Sequence, residues 1–146
     1  MSEKWDNRFF SLAQTVAEWS KDPNTKVGAV IVSPDRHIIS TGYNGFPVGV
    51  EDLEQRWESP EKYCWVVHAE LNAICQASRR GAKLSGSTLY TTLFTCADCA
   101  KAVIQSGIIR IVSSAISEDR KAWHESWRRA GEMYVEANVK VRWMYE

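Results

Sequence analysis

Residues 87–115, STLYTTLFTCADCAKAVIQSGIIRIVSSA, decide how the rest of the chain is read. STLYTTL is rich in β-branched and aromatic residues and predicts a strand. ADCAKAVIQS predicts a helix, stopped by Gly107, the residue type that helix C-termini favour. IIRIVSSA returns to a strand pattern. Strand and helix alternate, which implies parallel crossover connections. At the mouth of the helix stand two cysteines three apart, Cys96 and Cys99.

Working outward, HAELNAICQASRR (68–80) predicts a helix ended by Gly81. Towards the N-terminus, KVGAVIVS (26–33) and residues 37–43 are β-branched runs about a Pro34-Asp35-Arg36 turn, which predicts a hairpin. Phe9, Leu12, Ala13, Val16 and Trp19 recur at three- and four-residue steps and predict an amphipathic helix over Trp5–Trp19. GYNGFPVGVEDLEQRWESPEKYCW (42–65) keeps neither period and is expected to be a long loop with at most one helical turn; loops of that length tend to be lids or binding loops. Its EDLEQRWE segment is expected to be a solvated turn, with Arg56 or Trp57 closing over a ligand as the alternative. At the far end, Trp123, Trp127, Ala130, Tyr134 and Ala137 form a stripe at helical spacing, expected to be core or subunit interface, before a short strand in VKVRWMY (139–145). The expected fold class is α/β: one domain, residues 1–146, with a five-stranded mixed sheet that has an antiparallel hairpin first and parallel βα units after, sandwiched by helices.

Composition narrows the function. The chain has 146 residues, 45% hydrophobic and 25% charged, with 18 basic against 18 acidic residues. A polynucleotide-binding protein usually carries a basic surplus, because phosphate neutralisation supplies most of its affinity; none is present, so no nucleic-acid partner is expected. Charges in MSEKWDNRFF occupy the place of a signal-peptide core, and no apolar run approaches the ~20 residues of a membrane span. A cytoplasmic protein without a membrane partner is expected, and its four cysteines read as thiols or metal ligands, not as a disulfide framework.

HAE (68–70) and CADC (96–99) both open helices, where an α/β layer gathers ligands. Cys96 and Cys99, one turn apart, face the same way, and a helix N-terminus favours their thiolates. With His68 they make three zinc ligands. A closed structural site takes four, and no fourth Cys or His stands at ligand spacing, which points to the open position of a catalytic zinc. A redox pair would not call for the HxE. Glu70, two residues beyond His68, is placed to shuttle the proton of a zinc-activated water. Cys64 and Cys75 are expected to be ordinary thiols, and neither His37 nor His124 is assigned to the site.

HxE followed by a CxxC is the signature of zinc nucleobase deaminases. KVGAVIV, STGYNGFPVG, VVHAELNAI and CADCAKAVIQSGI, taken in order over residues 26–112, resemble the deoxycytidylate (dCMP) deaminase family. The resemblance implies a cytidine deaminase-like three-layer α/β/α sandwich, one Zn2+ per chain on His68, Cys96 and Cys99, and Glu70 as proton shuttle. It also implies that Asn44 contacts the substrate sugar and that the Ala69 backbone meets the pyrimidine edge. The implied reaction is hydrolytic deamination of a cytosine nucleotide, dCMP to dUMP plus ammonia, in a homo-oligomer for which dCTP and dTTP are candidate effectors. Lys26, Arg56 and Lys62 are the candidates for the phosphate.

The chain departs from the family in two places. Thr95 stands where the family has proline, and its hydroxyl is expected to cap the following helix. After the fourth strand the chain reads SSAISED (113–119), where relatives often place an aromatic in the nucleotide pocket. That second departure keeps a nucleoside, a modified cytosine nucleotide or another aminated heterocycle open as substrate. A nucleic-acid base-editing module and a non-catalytic zinc-binding subunit are the remaining alternatives.

Overall fold

In the computed structural model, which describes residues 2–145, the alternation of side chains along each strand sorts the core into two halves. Strand β1 (Gly28–Val32) sends Ala29 and Ile31 to one face and Val30 and Val32 to the other; β3 (Thr88–Thr91) divides Leu89 from Tyr90, and β4 (Arg110–Ser114) divides Ile111 from Val112. With β2 (Ile38–Tyr43) and β5 (Lys140–Met144) they form a five-stranded sheet in the order β2-β1-β3-β4-β5. The hairpin β1–β2 and the β1–β3 pair are antiparallel; β3, β4 and β5 run parallel. The mixed sheet is the one that strand and helix alternation implies, since only crossover helices return parallel neighbours.

Helix α1 (Glu3–Ala17) covers one face, with Phe9, Phe10, Ala13 and Val16 packed on Val30, Val32, Tyr90 and Val112. Helices α2 (Ala69–Arg79), α3 (Ala97–Gln105) and α4 (His124–Glu136) cover the other, where Ala73, Ala77, Val103, Ala130 and Tyr134 join Ala29, Ile31, Leu89 and Ile111. Three layers result. Trp19 departs from the expected stripe: α1 ends at Ala17, and Trp19 lies beyond it, 56% exposed, with its ring edge on Tyr43. Beneath the sheet the buried Asp6 accepts hydrogen bonds from Tyr90 at 2.7 Å and from both terminal nitrogens of Arg110, which fastens α1 to β3 and β4.

The segment after β2 is a long loop, as expected, but an ordered one. A two-sided bridge between Gly45 and Val67 closes its base, and it contains two 3-10 turns, Glu54–Trp57 and Glu61–Cys64, where at most one helical turn was expected. Trp57 stacks on Phe46 at 4.4 Å and donates to Asp52, so these two aromatic residues pack within the loop itself.

Helices α1 and α2 touch the sheet backbone to backbone at two glycines. A Cβ on Gly28 would lie 2.0 Å from the Ala13 carbonyl oxygen, and one on Gly42 would lie 2.3 Å from the Ala69 carbonyl oxygen and 2.5 Å from the Ala73 nitrogen. Gly42→Ala therefore pushes α2 off β2. Overpacking of this kind costs about 1–3 kcal/mol, so the variant is expected to unfold at lower denaturant concentration and to lose bound zinc in parallel, measured by denaturant titration and metal analysis; unchanged values of both refute the close-approach account.

Candidate metal and substrate site

The strand order brings the chemistry to one edge of the sheet. β2 and β3 point the same way, with β1 antiparallel between them. The C-terminal ends of β2 and β3 and the start of β1 therefore lie together, and the chain leaves this end into the two helices that begin with HAE and CADC. His68 is the N-cap residue of α2 and Cys96 that of α3, both in extended conformation, and Cys99 lies in the first turn of α3.

His68 Nδ1 is 3.4 Å from Cys96 Sγ and 3.4 Å from Cys99 Sγ, and the three ligand atoms lie within 4.8 Å of one another. Zinc bonds of about 2.3 Å to sulfur and about 2.0–2.1 Å to nitrogen at tetrahedral angles place N and S about 3.6 Å apart. The triangle is the right size for that ion. Among the described residues this is the one cluster of three or more His, Cys, Asp or Glu groups built for a metal. The Cys99 N–H points to Cys96 Sγ at 3.5 Å, and the Ala97 N–H is capped by Ser126 Oγ of α4 at 2.8 Å. Thr95 does not cap α3 as expected; its hydroxyl pairs with the Tyr134 hydroxyl, because Cys96 already holds the N-cap position. Without a cation the two thiols share a proton: the hydrogen bond from Cys99 pulls Cys96 down to about 4, while Cys99 is pushed up. The hydrogen bond to Cys96 raises His68.

Glu70 stands in the first turn of α2 and is buried, 4% exposed. Burial raises its carboxyl above the ordinary carboxylate range, against the opposing pull of His68. Its Oε1 lies 2.8 Å from Thr91 Oγ1, which is also 2.9 Å from the Leu93 carbonyl oxygen. The Thr91 hydroxyl thus satisfies Glu70 in either state: it donates to the carboxylate, or it accepts from the carboxylic acid and donates to Leu93 instead.

His68, Glu70 and Cys96 floor a cleft, open to solvent, whose walls include Asn44, Ala69, Phe94, Arg120, Trp123 and Trp127. Asn44 is buried at the end of β2, and Ala69 opens α2, where first-turn N–H groups lack partners within the helix. Lys26 does not reach the cleft. Its neighbours Thr25 and Val27 line it, and in extended chain the residue between them points away; the Lys26 side chain is 45% exposed with Glu18 at 3.8 Å. Arg56 is spent outside it, over the Trp65 ring at 3.9 Å and on the Glu51 carbonyl, and Trp57 is likewise not in its wall. Lys62 lines the cleft but is paired with Asp22.

The lining residues that the sequence did not single out for the site include Trp123, Trp127 and Arg120. Trp123 and Trp127 come from the aromatic stripe expected to be core or subunit interface, and Trp123 sits edge-on to His68 at 6.2 Å and to Tyr63 at 6.0 Å. They supply an aromatic wall from the start of α4, although SSAISED carries no aromatic residue. Arg120, just before them, donates to Thr25 Oγ1 at 3.2 Å and has no ion-pair partner among the described residues. The unmatched aromatics of the stripe and an arginine inside an irregular segment were the available signals.

The sequence matches the family described as the cytidine and deoxycytidylate deaminase zinc-binding region over residues 3–115. The chain belongs to this family. His68, Cys96 and Cys99 are its zinc ligands, and the family's fold is the one observed. An uncharacterized deaminase in the luxG 3′ region of Aliivibrio fischeri is 41% identical over 145 residues, 99% of this chain and 96% of that protein. The probable deoxycytidylate deaminase of Caenorhabditis elegans is 48% identical over 112 residues, 74% of this chain, and the deoxycytidylate deaminase of Homo sapiens is 39% identical over 115 residues, 75% of this chain. Those alignments cover 56% and 64% of the two relatives. In structure, the dCMP deaminase of cyanophage S-TIM5 in complex with dCMP and dUMP superposes with a TM-score of 0.79 at 24% identity, over 99% of each chain. Among the described residues no helix is long and apolar enough to cross a membrane.

Ligands must shed protons before they bind a cation. Because Cys99 keeps the proton it shares with Cys96 and His68 is shifted upward, zinc uptake by this deaminase is expected to release protons and to tighten as pH rises. Titration calorimetry in buffers of different ionisation enthalpy measures the release; an affinity independent of pH refutes the shared-proton arrangement.

Proposed function

We propose that the protein is a zinc-dependent hydrolase that converts dCMP to dUMP and ammonia. The observation that carries the reaction type is a solvent-shielded carboxylate, Glu70, two residues from one zinc ligand and facing the same cleft as Cys96. Bound zinc lowers the pKa of a water so that hydroxide is available at neutral pH. Glu70 takes the proton released from water, hands it to ring N3, and later carries a second proton to the departing amine. At C4 a bond to oxygen forms and the bond to nitrogen breaks, so water enters and ammonia leaves. Thr91 keeps the buried Glu70 oxygen hydrogen-bonded before and after each transfer. The Ala69 backbone and Asn44 are the proposed contacts to the pyrimidine edge and the sugar.

Arg120 supports a nucleotide over a nucleoside. A guanidinium with five donors matches a phosphate, and the other cationic chain in the wall, Lys62, is bound to Asp22. Trp123 supports a base ring, since an aromatic edge beside His68 gives a flat heterocycle a surface to pack on. The relatives named deoxycytidylate deaminases agree with the phosphate form.

Ammonia release from dCMP, deoxycytidine, CMP, dCTP and 5-substituted dCMP tests the reading. Glu70→Gln is expected to lower kcat by a factor of about 10²–10⁴, the worth of a general acid–base group, at unchanged zinc content. Arg120→Ala is expected to raise KM for dCMP about tenfold or more, the worth of a charge-assisted hydrogen bond, while deoxycytidine turnover stays the same. No release from any cytosine compound by zinc-loaded protein overturns the dCMP reading, and equal losses on dCMP and deoxycytidine overturn the role of Arg120.

A further inference from the structure

Among the described residues, Lys62 and Asp22 form the buried ion pair beside the cleft. Their side chains are 6% and 4% exposed, with Nζ 3.1 Å from Oδ2 and 3.2 Å from Oδ1. The other ion pair that ties this loop to the body, Lys21–Asp52, lies in water with side chains 74% and 37% exposed. A pair this dry gains little net stability, because desolvating both charges consumes most of their attraction. What it does supply is geometry, and it sits where the chain needs geometry.

Asp22 is the hub. Its Oδ1 accepts the N–H groups of Asn24 at 2.8 Å and Thr25 at 3.1 Å, which shapes the turn before β1, and its Oδ2 accepts from Asn44 Nδ2 at 3.3 Å. The turn so shaped presents the Thr25 carbonyl to the second Asn44 amide proton at 2.9 Å, and Asn44 Oδ1 accepts the Val27 N–H at 2.8 Å. Both protons of the Asn44 amide are therefore taken, and one lone pair of its oxygen is left. Asn44 can offer the cleft an acceptor and nothing else. Across the cleft, Lys62 lies in the 3-10 turn beside Tyr63 and Val66, both of which line the wall, and the same ammonium holds that turn against Asp22.

We propose that the buried Asp22–Lys62 pair is the positioning element of the substrate site: it fixes Asn44 as an acceptor for a substrate hydroxyl and pins the 45–66 loop as the facing wall. The proposal rests on the reading above in which Asn44 meets the sugar. It adds that the partner must be a hydrogen-bond donor, which a sugar hydroxyl is and a phosphate oxygen or ring carbonyl is not.

The test uses the zinc-loaded full chain and the double variant Asp22→Asn/Lys62→Met, which removes both charges together so that neither is left buried alone. The retained oxygen at position 22 continues to accept from Asn24 and Thr25, which turns the new NH2 towards Asn44 Nδ2, donor against donor. Lys21→Met, which breaks only the exposed pair, is the control. Turnover is measured on dCMP and on 2′,3′-dideoxycytidine monophosphate, which lacks the sugar hydroxyl, and amide hydrogen exchange is followed over 44–67. The wild type is expected to favour dCMP about tenfold in kcat/KM, the worth of one hydrogen bond. In the double variant that preference is expected to vanish, with kcat/KM falling about tenfold further for dCMP than for the dideoxy substrate, zinc retained, and exchange at 45–66 at least tenfold faster; the control is expected to match the wild type.

A double variant that keeps both the preference and slow exchange overturns the proposal, as does one that loses activity equally on both substrates. A wild type that turns over dCMP without preferring it overturns the hydroxyl contact. A wild type that deaminates neither compound overturns the dCMP reading instead, and the exchange data then decide, without substrate, whether the pair pins the loop.

Discussion

Where α2 crosses β2, the helix backbone rests on Gly42 with no side chain between, and a single added methyl would meet a carbonyl oxygen at 2.3 Å. This contact fixes the height of α2 over the sheet and so fixes its first turn. His68 and Glu70 are carried there, and Thr91, from β3 of the same sheet, reaches Glu70 at 2.8 Å. A helix seated on larger side chains would stand several ångströms farther out, and that hydrogen bond would be lost. The apparent softness of an alanine-rich α2, with Ala69, Ala73 and Ala77 all buried, is the matching half of the same constraint. Small residues on both surfaces let the backbones meet.

The zinc triangle depends on a second use of helix ends. Both helices start at a metal ligand, so the positive ends of their peptide dipoles point at the thiolates and at Glu70. The arrangement favours negative charge where the ion needs it, and Cys96 is drawn down to about 4, first by the hydrogen bond it accepts from the Cys99 thiol and then by those to His68 and the Cys99 N–H. α3 is held in place by groups from α4: Ser126 caps its first N–H, and Tyr134 holds Thr95 just before it. α4 thereby supports the metal site from behind, while Trp127 in its first turns and Trp123 just before it face the cleft.

Much of this was legible in the sequence because it is written in local patterns. Strand and helix periods, Gly81 and Gly107 as stops, and the Pro34 turn mark the elements, and the HAE and CADC spacings mark the ligands within one helical turn of each helix start. The readings that changed were those that depend on distant segments. Lys26, a candidate for the phosphate in the sequence, is turned outward by the side-chain alternation at Thr25–Val27; Arg56 finds an aromatic partner within its own loop; Lys62 finds Asp22. Thr95 gave its hydroxyl to a tyrosine 39 positions along instead of to the helix it precedes.

The sequence by itself determined the element order, the mixed character of the sheet and the three zinc ligands with their neighbouring carboxylate, because each follows from contacts a few residues long or from chemistry that tolerates few alternatives. Only the tertiary structure decided which cationic side chains in the cleft wall are paired, which aromatics wall the cleft and which way the Asn44 amide faces. Those outcomes are settled by pairing between segments tens of residues apart, Asp22 with Lys62 and Thr25 with Arg120, and a charge or an amide in a sequence carries no mark of the partner that will neutralise it.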